Sequence, residues 1–285
     1  MIDKYHRLEE LIDSDVQRSL KEDLGTGDIT SNLISQDVYA KGSIITREDM
    51  VLAGSPWVSK VFSSLNENTE VLWFWNDGDS LKKNTTICSI NGRVKDILSA
   101  ERTALNFLQL LSAIATRTRE LKKKIGTAKS KIFDTRKTIP GLRGAQKYAV
   151  RVGGGENHRI GLFDQILFKE NHLMIQGGID SAIRIARINH PQLEIQVEVE
   201  SVDECKIALK AKPNLILLDN FSITNLKKVI EIRDKWNQND IHFEASGGIT
   251  DVNIAEVAST GVERISIGTL TKDIKAIDLT LRLDL

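Results

Sequence analysis

With 285 residues, the chain can hold one barrel-sized domain plus a smaller companion. Its 39 Lys and Arg balance 39 Asp and Glu, which excludes the global positive field that draws proteins onto nucleic acid or an anionic membrane. No apolar run approaches the length of a membrane span and the start lacks a secretory pattern, so we expect neither membrane insertion nor export. The two cysteines, Cys88 and Cys205, lack CxxC spacing, which favours a reducing cytoplasm over a zinc site or disulfides.

The first part of the chain predicts a smaller, mixed α+β domain. Apolar residues at helical spacing predict an amphipathic helix over residues 5–23. The pattern then shortens to strand-like runs separated by turn sequences, at residues 43–46, 70–74 and 86–90. A long helix is predicted over residues 97–125, because apolar residues share one face and no Gly or Pro interrupts it before Gly126.

From residue 131 onward, short apolar runs alternate with helical stretches, which predicts βαβ units and a parallel sheet. We expect six strands, at residues 131–134, 165–169, 194–199, 214–219, 241–245 and 264–268. Six strands fit either an incomplete TIM-like α/β barrel or an open doubly wound sheet. The strict alternation of Glu194–Glu200 favours the barrel, since an open parallel sheet buries both faces whereas a barrel strand turns alternate side chains inward. An edge strand with one solvent-exposed face remains the alternative.

In a parallel α/β fold, ligands bind at the carboxyl ends of the strands. Almost every predicted strand end carries charged residues or a glycine-rich turn. Ser246-Gly247-Gly248 and Gly268 follow the last two strands, where glycines let backbone N–H groups approach a phosphate, although turns also need glycine for steric reasons. Glu198 and Asp219 end neighbouring strands and could hold Mg²⁺, or could form salt bridges with basic loops.

A local cluster of positive charge lies between residues 134 and 172, a segment that contains seven Lys and Arg residues but only four Asp and Glu residues. Glycine and proline interrupt this stretch, so we expect its cations on loops that bind a small polyanion instead of on one solvated helix face. Arg102 is expected in the first turn of the long helix, where the helix dipole disfavours a cation by about 0.3–1 kcal/mol. We therefore expect Arg102 to have an anionic partner. The neighbouring Glu101, or simple exposure of Arg102 to solvent, would explain its position equally well.

Longer motifs across nearly the whole chain resemble the quinolinate phosphoribosyltransferase family. They are EDLG at 22–25, GDIT at 27–30, DTRKTIPGLR at 134–143, KYAV at 147–150, GGGENHRIGL at 153–162, KENH at 169–172, VEVE at 197–200, LDN at 218–220 and EASGGI at 244–249. The resemblance implies an α/β fold in which an incomplete barrel at residues 113–269 joins an N-terminal α+β sandwich at residues 1–112. The tail, residues 270–285, would pack with the sandwich.

The family's activity is a pentosyl transfer in NAD biosynthesis. Phosphoribosyl passes from phosphoribosyl pyrophosphate to quinolinate with decarboxylation, giving nicotinate mononucleotide, pyrophosphate and CO₂. The resemblance also implies a homodimer in which each site is completed by the partner subunit, and it leaves open whether dimers assemble further. Mg²⁺ would accompany the donor, and no organic cofactor would be needed.

The resemblance assigns roles to individual residues. Quinolinate would be bound by Arg102, lent across the dimer interface, and by Arg136, His158, Arg159 and Lys169. The phosphoribosyl donor would be bound by Lys137, Glu198, Asp219, Ser246, Gly247, Gly248 and Gly268. Lys137, Glu198 and Asp219 would serve in catalysis, and Glu198 and Asp219 would hold Mg²⁺ directly or through water. These roles agree with the chemistry, because a dicarboxylate requires several convergent cations and Arg offers paired N–H donors.

One motif departs from the family. Where the family has Leu-Thr-His near the carboxyl terminus, this chain has Leu270-Thr271-Lys272, and lysine attracts phosphate but cannot shuttle a proton near neutral pH. The role of Lys272 is therefore open. Three alternatives also remain: a paralogue of the same fold associated with molybdenum transport, a nicotinate phosphoribosyltransferase, and a barrel that binds a phosphorylated ligand without turnover.

Overall fold

The computed structural model describes residues 8–284, so the first residues of the helix predicted over 5–23 lie outside the described part. The helices are α1 Leu8–Leu24, α2 Ser55–Leu65, α3 Val94–Ile125, α4 Arg143–Gly153, α5 Glu170–Ile175, α6 Ile179–Asn189, α7 Val202–Ala211, α8 Ile223–Lys235, α9 Ile254–Ser259 and α10 Thr269–Lys272. The strands are β1 Tyr39–Thr46, β2 Met50–Val51, β3 Glu70–Trp73, β4 Ser80–Leu81, β5 Thr86–Arg93, β6 Lys131–Phe133, β7 Ile166–Phe168, β8 Ile195–Val199, β9 Leu215–Asp219, β10 His242–Ser246, β11 Arg264–Ser266 and β12 Leu279–Asp284.

The chain divides into two compact units. The first unit contains residues 8–119, 138–154 and 269–284, and the barrel unit contains residues 120–137 and 155–268. Helix α3 runs without interruption past the division at residue 119. The domain boundary predicted at residue 112 stays a prediction. No helix among residues 8–284 combines the length and the hydropathy that a membrane crossing requires.

The first unit is built on a four-stranded antiparallel sheet in the order β12-β1-β5-β3. Strand β1 buries alternate residues, as expected when one face covers a core. Trp57 and Phe62 of α2 are fully buried beside this sheet's own buried residues, such as Ile44 and Ile90. The last strand, β12, pairs along its whole length with β1, so the end of the chain completes the sheet that begins near residue 39.

The barrel unit contains six parallel strands in the order β6-β11-β10-β9-β8-β7. The first strand is therefore hydrogen-bonded to the last, which is the neighbour relation of a barrel, and the strand order never reverses as it does in a doubly wound sheet. Strand β7 pairs only with β8 among the described residues, and a bridge from Phe133 to Glu156 is all that continues the sheet beyond β6. The predicted incomplete barrel with six strands is confirmed.

The alternation in β8 has the predicted cause. Ile195, Val197 and Val199 are buried, and the intervening Gln196 donates its side-chain N–H to Glu244 Oε2 at 3.1 Å. Since Glu244 lies on β10, two strands away, this hydrogen bond passes through the barrel interior. Polar residues at alternate positions of β8 therefore point inward.

Two local predictions were wrong. Helix α3 begins at Val94, so Arg102 lies beyond its second turn, and the cost of a cation in a first turn does not apply to it. Three of the seven cations expected on loops, Arg143, Lys147 and Arg151, instead lie four residues apart on helix α4. Such spacing puts them on one side of the helix, and Lys147 there is fully buried.

Candidate active site in the barrel unit

A cavity of about 210 Å³ opens within the barrel unit. Its lining residues come from the ends of all six strands or from the segments that follow them: Thr135, Arg136, Lys137, His158, Arg159, Leu167, Lys169, Glu198, Leu217, Asp219, Glu244, Ser246 and Ser266. Eight of the predicted site residues are among them. Because carboxyl ends of parallel strands meet at one edge, strand-end motifs that are distant in sequence share one cavity.

Four predicted site residues do not line this cavity. Gly247, Gly248 and Gly268 follow β10 and β11 within the barrel unit. Arg102 belongs to the first unit, where it is exposed on helix α3. Lys272, the departure from the family motif, also belongs to the first unit, and its amine lies 3.8 Å from Asp273 Oδ2.

Arg136 and Arg159 form the cationic wall of the cavity. The buried Nε of Arg136 has no hydrogen-bond partner among the described residues. Burial and the neighbouring Arg136 charge both lower the pKa of Arg159, against the smaller opposing effects of Asp164 and Glu198. Two guanidinium groups close enough to repel each other, one with an unsatisfied donor, are the arrangement expected where an anion is to bind.

Two aspartates, of which Asp134 is buried and Asp164 partly exposed, hold the loop that carries His158 and Arg159. Asp134, fully buried at the end of β6, accepts hydrogen bonds from the Asn157 side chain at 2.6 Å and from the His158 backbone N–H at 2.9 Å. Asp164 accepts from the backbone N–H groups of Ile160 and Gly161 at 2.8 and 2.9 Å. His158 and Arg159 thus lie between two carboxylate anchors, which fixes their backbone before any ligand arrives.

A buried polar network joins two residues of the cavity lining, His158 and Glu244, to Arg264. His158 Nδ1 accepts a hydrogen bond from the Arg159 backbone N–H at 2.8 Å, and its Nε2 lies 3.3 Å from Glu244 Oε1. Arg264 Nε lies 2.9 Å from Glu244 Oε2. Burial raises the pKa of Glu244, but contact with the His158 imidazole and the charge of Arg264 outweigh burial and lower that pKa to about 2. Glu244 is therefore ionised inside the protein and orients the His158 ring.

A cluster of three carboxylates lies at the cavity, and two of its members, Glu198 and Asp219, line it. Glu198, Glu200 and Asp219 each offer an oxygen atom, and these atoms lie within 4.8 Å of one another. Lys169 donates to both oxygens of Glu198, at 3.0 and 2.7 Å. The cavity thus presents cations to one part of a ligand and carboxylates to another.

Two glycines allow close backbone approaches at the edge of the site. Gly247 has φ 84°, and a Cβ atom there would fall 2.1 Å from the Asn220 side-chain oxygen. A Cβ atom at Gly268 would lie 3.0 Å from Cδ of Lys137. The absence of a side chain at Gly268 therefore allows the aliphatic part of Lys137 to pack close to the backbone. Helix α9 begins at Ile254 after this glycine pair, and the Asn253 side-chain N–H donates to Gly248 O at 3.0 Å.

Glu244 is not among the site residues predicted from the sequence, although it begins the EASGGI motif at residues 244–249. A signal existed in the sequence, because His242–Ser246 alternates and places Glu244 in phase with Ser246, which had been assigned to the site. A carboxylate inside a buried strand needs compensation, so it marks either a ligand site or an internal ion pair. Only the fold shows that Glu244 forms an internal ion pair and also lines the cavity.

Comparison with known proteins identifies the family. The model of the quinolinate phosphoribosyl transferase C-terminal domain matches residues 114–282, and that of the N-terminal domain matches residues 28–112. The chain belongs to the quinolinate phosphoribosyltransferase family. The resemblance that the motifs indicated is thereby confirmed.

Similar family members cover nearly the whole chain. A probable nicotinate-nucleotide pyrophosphorylase (carboxylating) from Bacillus subtilis is 38% identical over 91% of this chain and 89% of its own length. The nicotinate-nucleotide pyrophosphorylase (carboxylating) of Mycobacterium leprae is 38% identical over 94% of this chain and 95% of its own. The structure of the nicotinate-nucleotide pyrophosphorylase from Francisella tularensis is 44% identical, covers 96% of both chains and superposes with a TM-score of 0.92.

Proposed function

We propose that the chain transfers phosphoribosyl from phosphoribosyl pyrophosphate to the ring nitrogen of quinolinate and releases pyrophosphate and CO₂, giving nicotinate mononucleotide. One observation carries the proposal. In a barrel of this family, one small cavity is lined both by cations, including an arginine with an unsatisfied donor, and by Glu198 and Asp219 of a carboxylate cluster. That division matches the two substrates, since a dicarboxylate needs cations and a magnesium-bound sugar pyrophosphate needs carboxylates and phosphate donors.

The acceptor belongs on the cation wall. Arg136 and Arg159 offer paired N–H donors of the geometry that a carboxylate accepts, and Lys169 lies on the same cavity. A dianion between the two guanidinium groups would relieve the repulsion that lowers the Arg159 pKa. His158 is oriented there by Glu244 and Arg159, so its place in the wall is fixed before the acceptor arrives.

Phosphoribosyl pyrophosphate, the donor, belongs with the remaining residues of the site. Lys137 and the turns at Ser246-Gly247-Gly248 and Gly268 offer an amine and backbone N–H groups to phosphates. Glu198 and Asp219 face the cavity where the ribose would lie. The residues present fit Mg²⁺, because the three clustered carboxylates are the hard oxygen donors that this ion prefers. Mg²⁺ held by Glu198 and Asp219, directly or through water, would neutralise charge on the pyrophosphate.

The chain's own residues then act by position and charge. As the bond from ribose C1′ to pyrophosphate breaks and the quinolinate nitrogen bonds to C1′, positive charge develops on the ribose, and Glu198 or Asp219 stabilises it. Lys137 stabilises the leaving pyrophosphate. The ring nitrogen is now cationic and accepts the electron pair of the C–C bond when the adjacent carboxylate leaves as CO₂. A proton then replaces the carboxylate on the ring carbon.

We further propose a homodimer, in which Arg102 of the partner subunit completes the quinolinate site. Its support is the exposure of Arg102 on helix α3 and the family resemblance. A reducing cytoplasm is the expected location, because Cys88 and Cys205 are both buried free thiols whose pKa burial raises to about 12.

Release of labelled CO₂ tests the proposal directly. Quinolinate labelled in the carboxyl group next to the ring nitrogen is incubated with the protein, phosphoribosyl pyrophosphate and Mg²⁺, and CO₂ is trapped. We expect label release that depends on both substrates, and none with the Arg136→Ala variant. Nicotinate labelled in its carboxyl group is the matched control, since its single carboxylate is not adjacent to the ring nitrogen and is therefore retained. Consumption of the donor with nicotinate but no release from quinolinate would contradict the proposal.

A further inference from the structure

An ion pair inside the cavity joins one of its cations, Lys169, to a member of the carboxylate cluster, Glu198. Lys169 directly follows β7 and Glu198 lies on β8, where Phe168 and Val197 are register partners. This places the two side chains beside each other at the top of adjacent strands. The Lys169 ammonium donates to Glu198 Oε1 at 3.0 Å and to Oε2 at 2.7 Å, so one amine spans both carboxylate oxygens.

These two residues have separate tasks under the proposed function. Lys169 would bind an acceptor carboxylate, whereas Glu198 would serve the donor and its metal ion. Neither task is compatible with the present pairing, because two of the three ammonium donors are engaged and the Glu198 charge is neutralised. The side chain of Glu198 is only 14% exposed, so water does little to replace Lys169 as its partner.

The surroundings offer each residue an alternative partner. Arg136 and Arg159 line the same cavity as Lys169, so an anion held by the arginines would attract the lysine as well. On the other side, Glu198 belongs to the carboxylate cluster with Glu200 and Asp219. Neutralising one of three clustered carboxylates weakens the attraction of that cluster for a divalent cation. Glu198 also lines a second cavity, of about 310 Å³, so it is accessible to ligands from more than one side.

We infer that Lys169 is a positioning residue that couples the two substrate sites by competing with the metal ion for Glu198. In the empty site Lys169 neutralises Glu198. An acceptor carboxylate draws the ammonium away, which leaves the Glu198 carboxylate without its partner and available to the metal-bound donor. The identity of the acceptor rests on the proposed function, whereas the competition between Lys169 and a divalent cation does not. Because such coupling is reciprocal, the cation must in turn favour the acceptor.

Binding of Mn²⁺ alone tests the competition. Calorimetric titration of Mn²⁺ into the full-length protein, without substrates, is compared for the wild type and for Lys169→Met, which keeps the stem and removes the amine. We expect Lys169→Met to bind Mn²⁺ about threefold to tenfold more tightly. Arg136→Ala is the matched control, since it removes one positive charge from the same cavity but no hydrogen bond to Glu198, and we expect a clearly smaller gain.

The reciprocal experiment uses quinolinate without metal. Glu198→Gln frees Lys169 and should tighten quinolinate binding severalfold, although Glu198 itself is not a quinolinate ligand. Asp219→Asn removes the same charge from the same cluster without touching the Lys169 pair, so it should give a smaller gain. With wild type, saturating quinolinate should tighten Mn²⁺ binding after correction for chelation measured without protein. This effect should shrink in Lys169→Met.

The outcomes separate the two proposals. Equal Mn²⁺ affinity in wild type and Lys169→Met overturns the inference, whether or not quinolinate binds. An equal gain in Arg136→Ala also overturns it, because general cavity charge would then explain the effect. Failure of wild type to bind quinolinate, combined with tighter Mn²⁺ binding by Lys169→Met, would instead overturn the proposed function and leave the competition intact. Lys169 has a half-exposed side chain, so Lys169→Met is expected to fold, which a thermal melt checks.

Discussion

Asp15 in the first unit and Glu244 in the barrel unit are both almost completely buried carboxylates, yet their pKa values shift in opposite directions. Burial raises the pKa of Asp15, and hydrogen bonds from Trp57 at 3.1 Å and Arg18 at 2.7 Å do not overcome it. The Arg18 side chain is 52% exposed, so solvent screens its charge. Glu244 instead has the buried His158 and the mostly buried Arg264 as partners, and its pKa falls.

The comparison shows that burial alone does not decide the charge of an acid. The number and burial of its cationic partners decide it. In the barrel unit, His158 lines the same cavity as Glu244, so under the proposed function a residue of the acceptor site also helps to hold Glu244 ionised. In the first unit, Asp15 lines neither of the two cavities described above.

The largest expected effect comes from Glu244→Gln. Removing one partner of a buried ion pair leaves Arg264 without compensation, which should lower the free energy of unfolding by about 3 kcal/mol. Urea unfolding of wild type and variant measures the difference. A loss below about 1 kcal/mol would mean that the network contributes little and that the comparison with Asp15 fails.

The difference in free energy of unfolding between the wild type and Glu244→Gln should depend on pH, and the direction of that dependence distinguishes Glu244 from Asp15. The folded pKa of Glu244, about 2, lies below its ordinary value of 4.5. The stabilisation is therefore fully present above about pH 4.5 and is lost as the pH falls toward 2; the shift corresponds to about 3 kcal/mol. Unfolding curves at several pH values should show the wild-type advantage over Glu244→Gln shrinking in acid. An advantage independent of pH would contradict the assigned charge.

Arg136→Ala tests the cation that has no internal carboxylate. Unlike Arg264, whose Nε lies 2.9 Å from Glu244 Oε2, Arg136 has no ion-pair partner among the described residues and has a like-charged neighbour, Arg159. Its removal should weaken quinolinate binding at least roughly 100-fold, because charge-assisted hydrogen bonds are lost. The free energy of unfolding should stay within about 0.5 kcal/mol of the wild type. Calorimetry gives the affinity and urea unfolding the stability; unchanged affinity would remove Arg136 from the acceptor site.

The smallest effect is expected for Asp15→Asn. The asparagine oxygen can still accept from Trp57, and the lost partner Arg18 is half exposed, so unfolding at pH 7 should change by no more than about 1 kcal/mol. The pH trend should be opposite to that of Glu244. Because the folded pKa of Asp15 is raised, the wild type gains stability relative to the variant as the pH falls through that pKa. A trend of the same sign as for Glu244 would show that Asp15 is held ionised.

Much of the barrel could be predicted because its signals are local. Each apolar run predicted one of the six strands to within two residues at either end, and β8 revealed its inward face by alternation. The placement of Arg136, Lys169, Glu198 and Asp219 around one cavity followed from a single rule about strand ends. Helix boundaries were harder to predict. Helix α3 begins three residues before the predicted start, which moves Arg102 out of the first turn, where the helix dipole would disfavour a cation.

The sequence by itself determined the order of strands and helices, the strand-end motifs and the family, because periodicity and motif spacing are carried by neighbouring residues. Only the tertiary structure decided that Lys169 pairs with Glu198, that Glu244 is ionised between His158 and Arg264, and that Arg136 has an unsatisfied donor. The reason is physical: the charge and partners of a side chain depend on distances between residues far apart in the chain, and those distances exist only after the strands have closed into the barrel.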